Sequence, residues 1–338
     1  SLRDVGRELG VRYVLEGSVR KAGDRVRITA QLIDATDDSH VWADRYDGAL
    51  DDIFSLQDLV TGEIVTALEL QLHSSDSAVL NHRIAPSVEA YDHLLRARQY
   101  IFRFTREANA AAQAEVEYAL AIDPEYAEAI SLMADCHLQI FNQVWSDNPA
   151  SELQTAAEWA LRAVALDEGL PQGHAVLAHV RLWQRRNDEA IEEIDRAMAI
   201  SPNDARFLWL RAMIRTWSGL VEKALTDAKE GNRLDPNTAA MTLWTLGMAQ
   251  YHAGRHVDAA TNLHQSALLN PDFMPVHLWL AASQAHLGNS NEAENAVVAL
   301  NRLNPTISIR QTGEIVPFKD AGMFASMADD LRKAGLPE

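Results

Sequence analysis

Twelve histidines, one cysteine and a run of aspartates are the side chains here that could hold a metal or attack a substrate. A helical metal site needs two imidazoles on one face, as at positions i and i+4. His174 and His179 are five residues apart, and Gly254 interrupts His252 and His256, so neither pair meets that requirement. Asp34, Asp37, Asp38, Asp44, Asp47, Asp51 and Asp52 form an acidic run without the glycine and spacing of a calcium loop. They read as solvated turns and a helix start. Arg20, Lys21, Arg25 and Arg27 are their basic counterpart, predicting local charge pairing, with an anion site as the weaker alternative. Cys136 falls at a small-residue place in a helix, which packing explains. Phosphate-cradling glycine loops and nucleophile elbows are missing at the required spacings, so the sequence predicts no catalytic residue, no metal and no cofactor.

A row of large side chains is the sharper candidate. His179 and Trp183, then Trp209, Met213 and Trp217, then Trp244, Met248, Tyr251 and His252 recur where first helices of successive hairpins would face inward. Rigid aromatics in such a row suit an apolar helix or extended peptide, each anchor contributing on the order of 2 kcal/mol. The expected occupant is a protein or peptide segment, or the chain's own carboxy-terminal tail through Val316, Phe318, Met323 and Phe324. Lysine and arginine are sparse along the row, which disfavours a clamp for an acidic peptide carboxylate.

Composition narrows the classes. A net charge of −18 repels phosphate backbones and anionic lipid, which argues against nucleic acid as a partner. An apolar fraction of 47% with 23% charged residues is that of a folded chain, and no stretch reaches the roughly 18 uncharged apolar residues of a membrane span. One cysteine allows no internal disulfide, and a reducing, cytoplasmic setting is expected. Ser1 begins directly in structured-looking sequence, as in a piece of a longer protein, and Gly335 and Pro337 supply stop signals after a last helix.

The elements that would position the row follow from periodicity. Asp4–Leu9 reads as a short helix closed by Gly10, and residues 12–20 as a strand. Val26, Ile28, Ala30 and Leu32 alternate with Arg27, Thr29 and Gln31, the period of a half-buried strand. Residues 40–46 return as a third strand, and Ile53, Leu56, Val60, Ile64 and Leu68 at helical spacing place a helix over one face. This antiparallel meander is an incomplete layer pair with an open edge, which could pair two copies in a homo-oligomer.

From about Pro86 an internal period takes over. Helix ends recur as Ala121-Ile122-Asp123-Pro124, Ala165-Leu166-Asp167, Ala199-Ile200-Ser201-Pro202, Arg233-Leu234-Asp235-Pro236, Leu268-Leu269-Asn270-Pro271 and Arg302-Leu303-Asn304-Pro305, in steps of 44, 34, 34, 35 and 34 residues. Thirty-four is the tetratricopeptide length. Small residues recur where paired helices approach: Leu177-Ala178 and Ala190, Leu246-Gly247 and Ala259, Leu280-Ala281 and Ala293. Gly219, Gly254 and Gly288 close first helices, where positive φ is required. Arg211 and Gly231 depart from the pattern and predict a looser repeat, and an inserted loop over Asn142–Ser151 accounts for the step of 44. The expectation is a mainly α chain: a partial α+β module over residues 1–75, a solenoid of about five to six hairpins over 86–305, and an extension with a capping helix over 306–338.

These residues carry a likeness. Leu9-Gly10-Val11-Arg12-Tyr13-Val14-Leu15-Glu16-Gly17-Ser18-Val19-Arg20, Arg27-Ile28-Thr29-Ala30-Gln31-Leu32-Ile33-Asp34 and Val41-Trp42-Ala43-Asp44-Arg45-Tyr46-Asp47 resemble the later part of a TolB amino-terminal-like domain. Glu89-Ala90-Tyr91-Asp92-His93-Leu94-Leu95-Arg96-Ala97-Arg98 resembles the opening of the array that often follows it. The whole chain is similar to the carboxy-terminal region of bacterial class III adenylate/guanylate cyclases of that architecture. That resemblance implies an interaction and regulatory region, with the cyclase domain upstream of Ser1 and no catalytic residue carried over.

Overall fold

A computed structural model describes residues 11–35, 37–69, 88–143, 145–235 and 239–338. The helix expected over Asp4–Leu9, its Gly10 stop, and Pro86 and Pro236 lie outside the described residues. Contacts divide the chain into two compact units, residues 1–93 and 94–338.

The first unit is a meander of β1 (Tyr13–Ala22), β2 (Arg25–Asp34) and β3 (Ser39–Ala49), all antiparallel, in the order β1-β2-β3. Gly23 at φ 58° and Asp38 at φ 61° make the two reversals. A 3-10 turn over Leu50–Asp52 takes up the two aspartates expected in the helix, and α1 (Ile53–Glu69) follows. Leu56 and Val60 of α1 bury against Val26, Ile28, Ala30 and Tyr46. That cover packs on β3 and β2. Leu15 and Val19 pair with Leu32 and Ile28 and so share their face, yet stay 52% and 68% exposed. Of the four basic residues expected to pair, Arg27 holds Asp47 at 2.6 Å, while Arg12, outside that set, holds Asp34 at 2.9 Å.

The second unit is a helical array: α2 (Val88–Ile101), α3 (Arg106–Ile122), α4 (Ala127–Asn142), α5 (Pro149–Leu166), α6 (Pro171–Trp183), α7 (Asn187–Ile200), α8 (Ala205–Trp217), α9 (Val221–Leu234), α10 (Ala239–His252), α11 (His256–Leu269), α12 (Met274–His286) and α13 (Ser290–Leu303). From α4 onward they pack as consecutive hairpins, α4 with α5 through α12 with α13. Small side chains make that nesting possible. Ala178, Ala190, Ala259 and Ala281 are fully buried, and a Cβ on Gly247 would lie 2.5 Å from Leu263 Cγ. Gly219, Gly254 and Gly288 close their helices at φ 81°, 74° and 78°. Arg185 and Phe104 stand at the equivalent turns with φ 60° and 52°, a conformation that costs a non-glycine residue on the order of 1 kcal/mol. Among the described residues no helix is long and apolar enough to cross a membrane.

The repeat expected to be loose is tightly held instead. Arg211 Nη2 reaches Asp227 Oδ1 at 2.7 Å, Arg215 Nη1 reaches Asp227 Oδ2 at 2.5 Å, and both arginines also contact Asp195. An ion-pair network spanning α7, α8 and α9 replaces the apolar contact a leucine would make. Gly231 is buried, and a Cβ there would sit 3.3 Å from Leu208 Cβ, so glycine permits a close approach and leaves no gap.

After α13 the period stops, as the sequence predicts. A short helix that it did not announce, α14 (Ile309–Ile315), precedes the extended Val316-Pro317-Phe318, and the expected last helix is α15 (Ala321–Lys333). Ser308 and Asp320 cap them through the backbone N–H groups of Gln311 and Gly322. Backbone N–H of Ile309 donates to Pro337 O at 2.7 Å, tying the extension's two ends together.

Candidate functional site

Helix α8 shows how the site is built. Ala205, Leu208 and Ala212 are buried within the array, while Trp209, Met213 and Trp217, at i, i+4 and i+8, line a cavity of about 800 Å³. The same cavity takes His179 and Trp183 from α6, Trp244 from α10 and Trp279 from α12. Phe102 and Phe104 after α2, and Ile315 and Val316 of the extension, complete the lining. The array curves enough that Phe104 and Phe273, before α12, meet edge to face with centroids 6.2 Å apart. The inner surface is therefore a partly enclosed chamber.

Its aromatics form a continuous cluster. Trp183 meets Trp217 at 5.3 Å and 61°, Trp217 meets Trp244 at 6.4 Å and 71°, and Trp244 meets Trp279 at 6.2 Å and 85°. Edge-to-face pairs of this kind contribute about 0.5–1.5 kcal/mol each beyond burial. Their indole nitrogens are a cost. Nε1 of Trp183, Trp217, Trp244 and Trp279 is buried with no hydrogen-bond partner, and so are Asn142 Oδ1 and Gln172 Oε1, also on lining residues. Buried donors left unpaired cost on the order of 1–3 kcal/mol apiece.

Charge in the lining is sparse and mostly committed. Arg98 pairs with Glu128 at 2.8 Å and Arg206 with Asp204 at 2.6 Å. Burial pushes the Asp135 carboxyl up to about 7, against the opposing pull of Arg206 and Arg98. Burial also lowers His179 to about 4, so its imidazole is neutral near pH 7.

Six of the nine residues singled out from sequence come together in this lining: His179, Trp183, Trp209, Met213, Trp217 and Trp244. Met248, Tyr251 and His252 do not join them. Met248 is fully buried, Tyr251 OH donates to Asp330 Oδ2 at 2.8 Å, and the His252 ring lies 5.1 Å from Phe318. Burial lowers His252 to about 4, with His256 adding to the effect. Asp330, on α15, also receives His286 Nδ1 at 2.8 Å, and among the described residues no group of three potential ligands could hold a metal. The buried Cys136 has its thiol pushed well above the ordinary range, first by burial, as a packing role requires.

Further contacts run from the extension to this region. Arg185 Nη2 donates to Glu314 O at 2.9 Å and Gly313 O at 3.3 Å. Asn187 Nδ2 donates to Pro317 O at 3.2 Å, backbone N–H of Lys319 to Trp217 O at 2.9 Å, and Lys319 Nζ pairs with Asp188 at 2.6 Å. Trp279 was missed in the sequence although it stands 35 residues after Trp244, itself 35 after Trp209. The repeat period was the signal. Asp135 and Arg185 had none, since burial and φ set their roles.

Comparison with a solved structure fixes the fold. The crystal structure of the APC/C hetero-tetramer Cut9-Hcn1 superposes over 82% of this chain and 52% of that one, at 16% identity and a TM-score of 0.51. This chain has a tetratricopeptide-repeat fold. A tetratricopeptide protein of Thermus thermophilus matches 57% of the repeat chain and 98% of its own, at 18% identity and a TM-score of 0.46. A curated relative described as "Putative adenylate cyclase 3", from Rhizobium meliloti (strain 1021), is 43% identical over 189 residues, covering 56% of this chain. The alignment spans 32% of that relative's length. No protein-family profile matches the repeat chain.

Proposed function

We propose that the chain is a non-catalytic interaction and regulatory region of a bacterial, cytoplasmic cyclic-nucleotide signalling protein, with a TolB-like module in residues 1–75, the solenoid in 86–305 and a regulatory extension in 306–338. The proposed contact surface is the aromatic row of α6, α8 and α10. In the resting state residues 313–319 hold its edge, and a partner segment displaces them. The observation carrying this reading is that the extension's main chain is held by the Arg185 and Asn187 side chains and by Trp217 O, contacts that a competing extended peptide could replace without any change in the array. The cyclase connection rests on the Rhizobium relative's description, and cyclase catalysis is assigned to a part of the parent outside this chain.

The test combines Arg185→Ala with Phe318→Ala to weaken the hold. Hydrogen exchange over residues 306–338 should quicken, and a crosslinked partner should be recovered in larger amount. Recovery should then fall when Trp209→Ala is added. Equal exchange and equal recovery in all three proteins would refute the reading. Assaying the chain with ATP, GTP and metal addresses its non-catalytic part, since turnover above background contradicts it. A second reading, an oligomerisation scaffold, is favoured by the exposed Leu15 and Val19 on the outer strand β1, and light scattering across concentration checks it.

A further inference from the structure

Three imidazoles from three helices converge where the extension docks. His252 ends α10, His256 begins α11 and His286 ends α12. The His256 and His286 rings stack with centroids 3.6 Å apart at 23°, and His256 lies 5.0 Å from the Tyr251 ring. Phe318 of the extension lies against His252 at 5.1 Å. Asp330 of α15 joins the cluster with a side chain only 3% exposed. It accepts from Tyr251 OH, His286 Nδ1 and Lys333 Nζ, each at 2.8 Å.

This cluster can accommodate one proton but not three. Its charged neighbours are already matched: Lys333 offsets Asp330, and Asp329 pairs with Arg332 at 2.7 Å. Arg255, between α10 and α11, reaches Glu222, and Lys319 of the extension reaches Asp188. Tyr251, raised by burial and by Asp330, stays neutral. A first proton on His286 shares the Asp330 carboxylate, but a second on the stacked His256 sets like charges face to face with no further carboxylate to offset them. His252 Nε2 and His256 Nδ1 are buried without partners, so a protonated ring at either position would hold an N–H without an acceptor. Burial first, then the neighbouring imidazole, lowers both, His252 to about 4. Docking is therefore supported fully above about pH 6.5 and weakens as pH falls towards 4. We propose that residues 306–338 form an acid-released latch, in which protons on His252 and His256 drive Phe318 and α15 off the array and free the edge that residues 313–319 hold. This rests on the reading of the extension as displaceable and assigns its regulation.

Hydrogen exchange on the full chain at about pH 7.5 and about pH 5 tests it, with the intrinsic pH dependence of exchange divided out. Protection over residues 306–338 should fall about tenfold at the lower pH, while protection over α3–α5 stays within about twofold. His252→Gln combined with His256→Gln leaves nothing to protonate at either place, so the extension's protection should then differ by less than about twofold between the two conditions. If the double variant melts lower at neutral pH, His256→Gln alone should cut the fall at least about twofold. Asp330→Asn keeps an acceptor for Tyr251 but loses the charge that accommodates the first proton, so release should move to higher pH by about one unit. A purely structural contact would instead loosen equally at both pH values. Constant protection in the wild type, an undiminished fall in the glutamine variants, or a fall shared equally by α3–α5 would overturn the latch. If the wild type shows no fall while Arg185→Ala with Phe318→Ala loosens the extension at neutral pH, the latch fails and the displacement reading stands.

Discussion

The first helices α8, α10 and α12 have two faces built on different rules. Towards their hairpin partners they present alanine or glycine, buried and filled to contact, as Ala212, Gly247 and Ala281 are. Towards the chamber they present larger side chains, Trp209, Met213 and Trp217 on α8, Trp244 on α10 and Met274 and Trp279 on α12. The first face is optimised for stability. The second is packed less completely where it borders the cavity, as the partly buried Trp209 shows. Substitutions on the two faces should therefore differ in what they damage.

The largest effect is expected within the filled side. Asp227 has a side chain only 5% exposed and accepts from both Arg211 and Arg215. Asp227→Ala would leave two guanidinium groups without their carboxylate in a mostly buried place, and removing one partner of a buried ion pair costs about 3–5 kcal/mol. Urea denaturation measures it. A loss under about 1 kcal/mol would mean that the network is solvated and that this repeat is loose after all.

Next comes Gly247→Val. The new Cβ would press on Leu263 Cγ at 2.5 Å and on Ala259 O at 3.3 Å, backbone and side chain of a single neighbouring helix. Overpacking of this kind costs about 1–3 kcal/mol. A midpoint matching the wild type would show that the helices can separate freely, contrary to the nesting argued here.

A pH series sharpens the comparison between the chamber and the docked extension. His179 and His252 are each lowered to about 4, both chiefly by burial, so between about pH 4 and the ordinary histidine value the unfolded chain binds protons that the folded chain refuses. Stability contributed by keeping them neutral is present above about pH 6.5 and is lost as pH falls towards 4. His252→Gln should flatten that fall by up to about 1.4 kcal/mol per pH unit. Asp135 has the opposite sign. Its folded value of about 7 means the folded chain keeps a proton the unfolded chain releases, so that contribution is full at low pH and fades as pH rises through 7. Asp135→Asn should therefore raise the denaturation midpoint more at pH 8 than at pH 5, and the reverse order would place that carboxyl in water.

Much of this was legible in the sequence because repetition converts packing into spacing. The recurring helix ends, the glycines at positive φ and the buried alanines all follow from a hairpin that must fit its neighbour at each step. Arg211 was misread for the same reason: set against a repeat pattern, a residue that departs from it looks like a defect, while its acceptor Asp227 lies on another helix with no motif to mark it. The chamber's curvature was not legible either. It depends on small rotations summed over several repeats until Phe104 reaches Phe273, and the extension is held through carbonyls of Gly313, Glu314 and Pro317, which any sequence would supply.

The smallest stability change is expected at the residue most useful for binding. Trp209 lines the chamber and is only partly buried, packing against the main core from the cavity side. A fully buried tryptophan cut to alanine costs about 3–5 kcal/mol, because atoms on every side lose their contacts. Trp209 already faces empty volume on one side, so Trp209→Ala should cost about 1 kcal/mol while enlarging the chamber. Thermal denaturation measures it. A loss near about 4 kcal/mol, the full cost of a buried tryptophan, would mean that the indole is a structural prop. The two-faced description of these helices would then fail at α8, the helix that displays it best.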